Sequence, residues 1–175
     1  MAKNLFFIVF MGSGKTTVSK AFAKKYHSRH IEADDIIAER EGMSVKDIFA
    51  RKGEPYYRDL ETGLCRELSE LSDYVISCGG GMAVRPQNVE YMKKNGFVIQ
   101  LEATPETILE RVKGDDSRPL LNGHMNVEYI VQMKAKRADS YAAAADITVQ
   151  TDQLTVDEVV EAVYESVHRA GQSPV

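Results

Sequence analysis

Apolar residues along the chain fall into two alternating patterns, short continuous runs and one-sided helical spacings. The run LFFIVF at residues 5–10 is continuous, which predicts a strand that is buried on both faces. From Lys15 onward the spacing changes, and Val18, Phe22 and Tyr26 fall on one face of a predicted helix. A buried strand followed by an amphipathic helix is typical of folds in which helices cover a parallel sheet.

The same alternation continues along the whole chain. It predicts four more strands, which are HIEADD, DYVIS, FVIQLEA and DITVQ at residues 30–35, 73–77, 97–103 and 146–150. Helices are predicted over 35–52 in two pieces that break near Gly42, with Ser44 capping the second, over 55–72, from Pro105, over 126–141 and over 156–167. Residues 1–175 are therefore expected to form one α/β domain, in which ligands bind beyond the carboxyl ends of parallel strands.

Two stretches show neither pattern. Residues 112–124 are polar and bounded by glycines, and we expect a mobile loop there. Residues 171–175 are expected to be a frayed tail.

Composition narrows the functional classes. Hydrophobic residues make up 43% and charged residues 27%, which favours a compact globular fold, and the net charge of −4 argues against a nucleic-acid partner. Cys65 and Cys78 are predicted to be reduced core thiols, and the four histidines show no metal-binding spacing. No apolar run is long enough for a membrane span or a signal peptide, so we expect a cytoplasmic protein.

The segment FMGSGKTT at residues 10–17 joins the first strand to the first helix. Consecutive backbone N–H groups at a helix N-terminus form an anion site, and Gly12 and Gly14 let that backbone approach a phosphate closely. Lys15 can reach the β- and γ-phosphates, and the Thr16 hydroxyl suits Mg²⁺. The sequence therefore predicts nucleotide binding. The alternative is that the glycines only turn the chain and Lys15 lies on the surface.

Val9 departs from the phosphate-loop pattern G-x-x-x-x-G-K-[ST], which has glycine at this position. Valine fits there only if its φ is negative and its branched side chain has room. Since Gly12-Ser13-Gly14-Lys15-Thr16 is intact, we expect nucleotide binding to persist with a shifted loop entrance. The alternative is an altered or decayed site.

Acidic residues follow the second predicted strand, whereas the third ends in glycines. Glu32 is the candidate carboxylate near Mg²⁺. Asp34, one strand alternation further, is predicted to face the same cleft and to orient or deprotonate an attacking hydroxyl. Alternatively these acids simply begin a helix, where its dipole favours them, and we assign Asp35 to that interpretation.

The run Gly79-Gly80-Gly81 suggests a backbone that lies against a ligand, although a loose turn is the alternative. Arg58 lies three residues before Glu61 and can pair with it on a helix. Arg118 lies in the predicted mobile loop, and Arg137 lies four residues before Tyr141. Each arginine alone is surface charge by default, but several near one anion site suggest bidentate grips on a carboxylate or phosphate.

The ordered motifs resemble the bacterial shikimate kinases over nearly the whole chain. They are FMGSGKTT, EADDIIAEREG, DIFARKGEPYYRDLE, SCGGG, SRPLL and KRADSY. The resemblance implies a P-loop, nucleoside monophosphate kinase-like fold with a five-stranded parallel sheet, a substrate-binding insertion at 33–61 and a lid at 112–124. It implies transfer of the γ-phosphoryl group of ATP to the 3-hydroxyl of shikimate, with Mg²⁺ as the metal. Separately from the resemblance, we expect a monomer.

The resemblance also implies roles for individual residues. Catalytic residues would be Lys15, Asp34 and Arg118. ATP would contact Gly12, Ser13, Gly14, Lys15, Thr16, Thr17, Arg111 and Arg118. Shikimate would contact Asp34, Phe49, Tyr57, Arg58, Gly79, Gly80, Gly81 and Arg137. The metal would lie near Thr16 and Glu32.

Three residues depart from the family pattern. Val9 replaces a glycine, Glu32 stands where aspartate is usual, and Tyr57 stands where phenylalanine precedes the arginine. Two alternatives follow. One is a kinase for another hydroxy acid such as gluconate, and the other is a nucleotide-binding regulatory protein that has lost catalysis.

Overall fold

The structure is a computed structural model that describes residues 3–10, 14–113 and 126–171. Five parallel strands in these residues form one sheet with helices on both faces. The strands are β1 (Asn4–Val9), β2 (Arg29–Glu32), β3 (Tyr74–Ser77), β4 (Gly96–Glu102) and β5 (Ile147–Gln150). The helices are α1 (Lys15–Lys25), α2 (Ala33–Glu41), α3 (Val45–Lys52), α4 (Glu54–Leu68), α5 (Pro86–Lys94), α6 (Pro105–Val112), α7 (Val127–Ala144) and α8 (Val156–Arg169), with a short 3-10 helix at Met82–Val84.

Strand β1 lies at the centre of the sheet, whose order is β2-β3-β1-β4-β5. Leu5 pairs with Val75 of β3 on one side and with Phe97 of β4 on the other. All six residues of β1 are buried, which confirms the prediction from its continuous apolar run. Phe6 and Ile8 belong to the core on one face of the sheet, and Leu5, Phe7 and Val9 to the core on the other.

The order of the strands predicts where a ligand-binding site lies. The chain runs from β1 to β2 and returns through β3, and it then continues on the other side of β1 through β4 and β5. Ligands in open parallel sheets bind outside the carboxyl ends of strands near such a reversal. The carboxyl ends of β1, β2 and β3 are followed by the three segments that sequence analysis selected, so the fold brings those segments to one edge.

Local helix signals are confirmed. The Ser44 hydroxyl accepts a hydrogen bond from the Asp47 amide at 3.1 Å and caps α3. Thr104 caps α6 in the same way, with Pro105 at its first position. Helix α2 ends at Glu41 and is capped by Gly42, whose φ is 64°. Cys65 and Cys78 are free and buried, as predicted.

Two predicted boundaries were wrong. Strand β2 ends at Glu32, because the next residues begin α2 with Asp34 and Asp35 in its first turn, where the helix dipole favours carboxylates. Helix α4 ends at Leu68, and the side-chain amide of Asn4 binds the carbonyl oxygens of Leu68 and Leu71 beyond that end.

The 3-10 helix at Met82–Val84 and helix α5 were not predicted. Pro86 at the start of α5 was the available signal. Several predicted residues and segments lie outside the described residues. These are Gly12 and Ser13, the part of the predicted lid from 114 to 124 with Arg118, and residues 172–175.

Candidate functional site

Lys15 points toward the ends of two neighbouring strands. It is the first residue of α1, directly after Gly14, whose φ of 83° suits glycine. Its Nζ lies 3.3 Å from Glu32 Oε1 and donates to the carbonyl oxygen of Cys78. The side chain of Lys15 is only 12% exposed, so it does not lie on the surface.

Glu32 offers one oxygen that is free for a metal or its water. Its Oε1 accepts from Ser77 Oγ at 2.7 Å as well as from Lys15. Its Oε2 is buried, and no described residue donates to it. A hard cation suits such an oxygen, and Thr16 lies next to Lys15 on α1. In the described parts of the chain no cluster of three metal-ligating side chains exists, so a bound Mg²⁺ would take most of its ligands from phosphate and water.

The turn at residues 78–81, after β3, is the point where the candidate residues meet. The carbonyl oxygen of Cys78 accepts from Lys15, and the carbonyl oxygen of Gly80 accepts from Arg137 Nη1 at 2.9 Å. Gly81 lies directly against the guanidinium of Arg58. One short turn therefore joins the phosphate-loop lysine to both candidate arginines.

Close approach explains two of the glycines in this turn. A Cβ on Gly79 would lie 2.6 Å from Asp34 Oδ1 and 2.8 Å from Glu61 Oε1. A Cβ on Gly81 would overlap the guanidinium of Arg58. Among the described residues these glycines therefore lie against side chains of the protein itself, which replaces the interpretation as a loose turn.

Asp34 lies in the first turn of α2, not on the strand alternation from which its direction was predicted. Its Oδ1 accepts from the Tyr57 hydroxyl at 2.6 Å. The Tyr57 ring packs on Phe49, with the ring centroids 4.8 Å apart. Helices α2, α3 and α4, which the resemblance assigns to the insertion at 33–61, thus place Asp34, Phe49 and Tyr57 in one cluster.

Arg58 is held between two carboxylates. Its Nη1 lies 2.7 Å from Glu61 Oε2, as the spacing predicted, and its Nη2 lies 2.9 Å from Glu54 Oε1. Glu61 is 1% exposed, and its Oε1 has no hydrogen-bond partner among the described residues. Burial raises the pKa of Glu61, and the charge of Arg58 opposes this shift only in part. Sequence analysis recognised the pair but did not place Glu61 in the site.

Tyr141 is a second residue that the prediction left out. Its buried hydroxyl contacts the carbonyl oxygen of Gly80, next to Arg137, and lies 3.0 Å from the carbonyl oxygen of Val9. The hydroxyl therefore links the end of β1 to the glycine turn. The signals in the sequence were the four-residue spacing between Arg137 and Tyr141 and the motif KRADSY, which contains both residues.

Val9 occupies the last position of β1 with ordinary strand geometry. It pairs with Leu101 of β4, is 5% exposed as a residue, and packs in the core with Val18. Val9 is not among the described non-glycine residues with positive φ. The position therefore meets both conditions that valine requires.

Arg111 lies apart from this cluster. Its Nη1 and Nη2 donate to Thr151 Oγ1 and to the Thr151 carbonyl oxygen, each at 2.9 Å. Thr151 follows β5, two strands away from β1. Thr17 is exposed on α1.

Comparisons with known proteins give one consistent result. The family model described as shikimate kinase matches residues 11–168. A shikimate kinase from Sulfurihydrogenibium sp. is 38% identical over 167 residues, which cover 95% of this chain and 99% of that protein. The structure of shikimate kinase from Acinetobacter baumannii in complex with shikimate superposes with a TM-score of 0.90 at 26% identity, covering 97% of this chain and 95% of that one.

A different kinase has a similar fold at low sequence identity. A gluconokinase from Sinorhizobium meliloti covers 97% of this chain with a TM-score of 0.58 at 15% identity, which is a likeness of fold only. None of the helices that the structure describes combines the length and apolar character needed to cross a membrane.

The family match spans most of the chain, and the similarity to the Sulfurihydrogenibium protein spans nearly all of it. The chain therefore belongs to the shikimate kinase family.

Proposed function

We propose that this protein transfers the γ-phosphoryl group of ATP to the 3-hydroxyl of shikimate, giving shikimate 3-phosphate and ADP. The observation that carries the proposal is the turn at 78–81, because it contacts Lys15 on one side and Arg58 and Arg137 on the other. Phosphoryl transfer requires alignment and positive charge more than covalent chemistry. A lysine and two arginines around one turn supply both.

The nucleotide side lies at the start of α1. We expect Gly12, Ser13, Gly14 and Thr17 to contribute to the phosphate site, with Lys15 near the transferred group. Thr16 and the free oxygen of Glu32 would hold Mg²⁺, which offsets phosphate charge when it is bound. Arg111 would flank the adenine.

The acceptor side uses charged groups that can exchange partners. Arg58 binds the exposed Glu54 through an ion pair at the surface, and a substrate carboxylate can replace that partner. Arg137 would grip the same carboxylate, while Phe49 and Tyr57 form the wall. Asp34 would accept the proton of the attacking hydroxyl or orient it.

Arg118 completes the proposal, although it lies outside the described residues. We expect it to reach the γ-phosphoryl group when the lid at 112–124 closes and excludes water. Arg118→Ala should then retain shikimate affinity and lose most turnover. Equal losses of affinity and turnover would contradict this role.

A coupled ADP-release assay tests the function. We expect ADP formation to depend on shikimate and to stay at background with gluconate. Turnover with gluconate would instead favour the kinase for another hydroxy acid. ATP binding without any product would favour the regulatory protein. We also propose that the enzyme acts as a monomer in the cytoplasm, which gel filtration and cell fractionation can check.

A further inference from the structure

Tyr57 donates a hydrogen bond to the carboxylate that faces the acceptor in the proposed reaction. The distance of 2.6 Å from its hydroxyl oxygen to Asp34 Oδ1 is typical of a charge-assisted O–H···O⁻ bond. Tyr57 is 2% exposed, and its ring packs against Phe49. Packing therefore fixes the ring, and the position of the hydroxyl follows from it.

The proton of this bond belongs to Tyr57. Burial raises the pKa of Tyr57 well above its usual value, and the charge of Asp34 raises it further. An ionised carboxylate can only accept, so a protonated phenol is the matching donor.

The second oxygen of Asp34 is differently placed. Oδ1 accepts the hydrogen bond from the Tyr57 hydroxyl and also lies close to the backbone of Gly79. A Cβ added to Gly79 would be only 2.6 Å from Oδ1. No hydrogen bond to Oδ2 is formed by the residues that the structure describes. Anchoring Oδ1 therefore leaves Oδ2 as the oxygen that can face an acceptor.

We infer that Tyr57 is a positioning residue that anchors Asp34 through Oδ1 and so presents Oδ2 to the acceptor hydroxyl. This inference rests on the proposed function, since the acceptor is shikimate. The terminal torsion of an aspartate is broad, so an unanchored carboxylate spends less time in one orientation. Phenylalanine at position 57 would keep the ring and remove only the anchor.

Steady-state kinetics of Tyr57→Phe give the first test. We expect kcat to fall about tenfold, because reaction rates depend steeply on the placement of the reacting groups, while the KM for ATP stays unchanged. Tyr56→Phe is the matched control. The Tyr56 hydroxyl bonds to Glu41 and Lys52 on the exposed side of α4, so its loss should leave kcat unchanged. A kcat for Tyr57→Phe within about twofold of the wild type would overturn the inference.

A double-mutant cycle separates positioning from a general structural role. In an Asp34→Ala background the anchor has no carboxylate to hold, so adding Tyr57→Phe should cause no further loss of rate. Single-turnover measurements with radiolabelled ATP can follow the slow background reaction. A tenfold loss that persists in this background would show that Tyr57 does not act through Asp34.

The wild-type assay distinguishes a failure of the proposed function from a failure of the inference about Tyr57. If the wild type forms no shikimate-dependent ADP, the proposed function fails and the inference about Tyr57 fails with it. If the wild type is active and Tyr57→Phe is equally active, the proposed function stands and only the role of Tyr57 is wrong.

Discussion

The two sides of the proposed site are built from different parts of the molecule. The nucleotide side consists of the start of α1 and the ends of β2 and β3, and its central ion pair joins Lys15 to Glu32. The acceptor side consists of side chains from α2, α3, α4 and α7 that gather around the glycine turn. The first side relies on the backbone at the start of α1 and on the carbonyl oxygen of Cys78, whereas the second relies on side chains of the consecutive helices α2, α3 and α4 together with α7.

This difference determines which substitutions each side of the site tolerates. A phosphate held by backbone amides would depend little on neighbouring side chains, so we expect nucleotide binding to tolerate Val9, which packs in the core. The acceptor side depends on contacts between Asp34, Tyr57, Arg58 and Glu61, so a small displacement of one group reaches the others. Changes on either side should therefore have separable effects on nucleotide and shikimate binding.

Loss of the Lys15 charge should have the largest effect. Lys15→Met is expected to lower kcat by about 10²–10³-fold, as for other groups that stabilise transition-state charge, with shikimate affinity retained in calorimetry. Lys20→Met, at an exposed position of the same helix, is the control. A matching loss of shikimate affinity would show that the two sides are not separable.

The next largest effect is expected on the acceptor side. Gly81→Ala places a methyl group into the guanidinium of Arg58 and must move it, so shikimate affinity should fall about 10²-fold while ATP affinity holds. Gly63→Ala is the matched control, because a Cβ there meets nothing within 4 Å. Unchanged shikimate affinity in Gly81→Ala would mean that Arg58 does not bind the substrate from this position.

Val9→Gly tests whether the nucleotide side tolerates the valine at position 9. Removal of a buried valine side chain, together with the entropy of glycine, should lower the free energy of unfolding by about 2–3 kcal/mol. Nucleotide affinity should change by about threefold or less. Chemical denaturation and calorimetry measure both quantities. A tenfold gain in nucleotide affinity would show that Val9 distorts the loop.

Glu61→Gln examines a buried charge on the acceptor side. We expect shikimate affinity to fall about tenfold, because a charge-assisted bond to Arg58 is lost. Burial raises the pKa of Glu61 above 4.5, so its contribution to stability is present below that pH and is lost as the pH rises through the higher folded-state pKa. As the pH falls through that folded-state pKa toward 4.5, the wild type should therefore gain stability relative to Glu61→Gln. Denaturation midpoints that shift in the opposite direction would contradict this.

The smallest effect is expected at Glu54. Its exposed ion pair with Arg58 competes with a substrate carboxylate, so Glu54→Gln should lower the KM for shikimate about twofold. Glu67→Gln is the control, since Glu67 lies on the same helix as Glu54 and forms an exposed ion pair with Arg40 of α2. An increase in KM would indicate that Glu54 supports Arg58 instead of competing for it.

The distance along the chain between contacting residues explains what could be predicted from the sequence. Strand β1, the Ser44 cap and the Arg58–Glu61 pair follow from local patterns, and the structure confirms them. The direction of Asp34 was argued from a strand that ends two residues earlier, because a preference of acids for helix starts outweighed the alternation.

Other contacts have no local signal. Tyr141 reaches Val9 across 132 positions of the chain, and the Tyr57 hydroxyl reaches Asp34 across 23. Only the packing of α7 and α4 around the glycine turn creates these contacts. Residue types and spacings could suggest that each residue belongs to a site, but they could not predict which of these residues contact each other.

The central claim is that both sides serve one reaction at the glycine turn. Phosphorus NMR of the wild type with ATP, Mg²⁺ and shikimate tests it most directly. The account predicts a new phosphate monoester resonance that grows in equal amount with ADP and disappears when shikimate is omitted. ADP that accumulates with inorganic phosphate instead of that monoester, or at the same rate without shikimate, would contradict it.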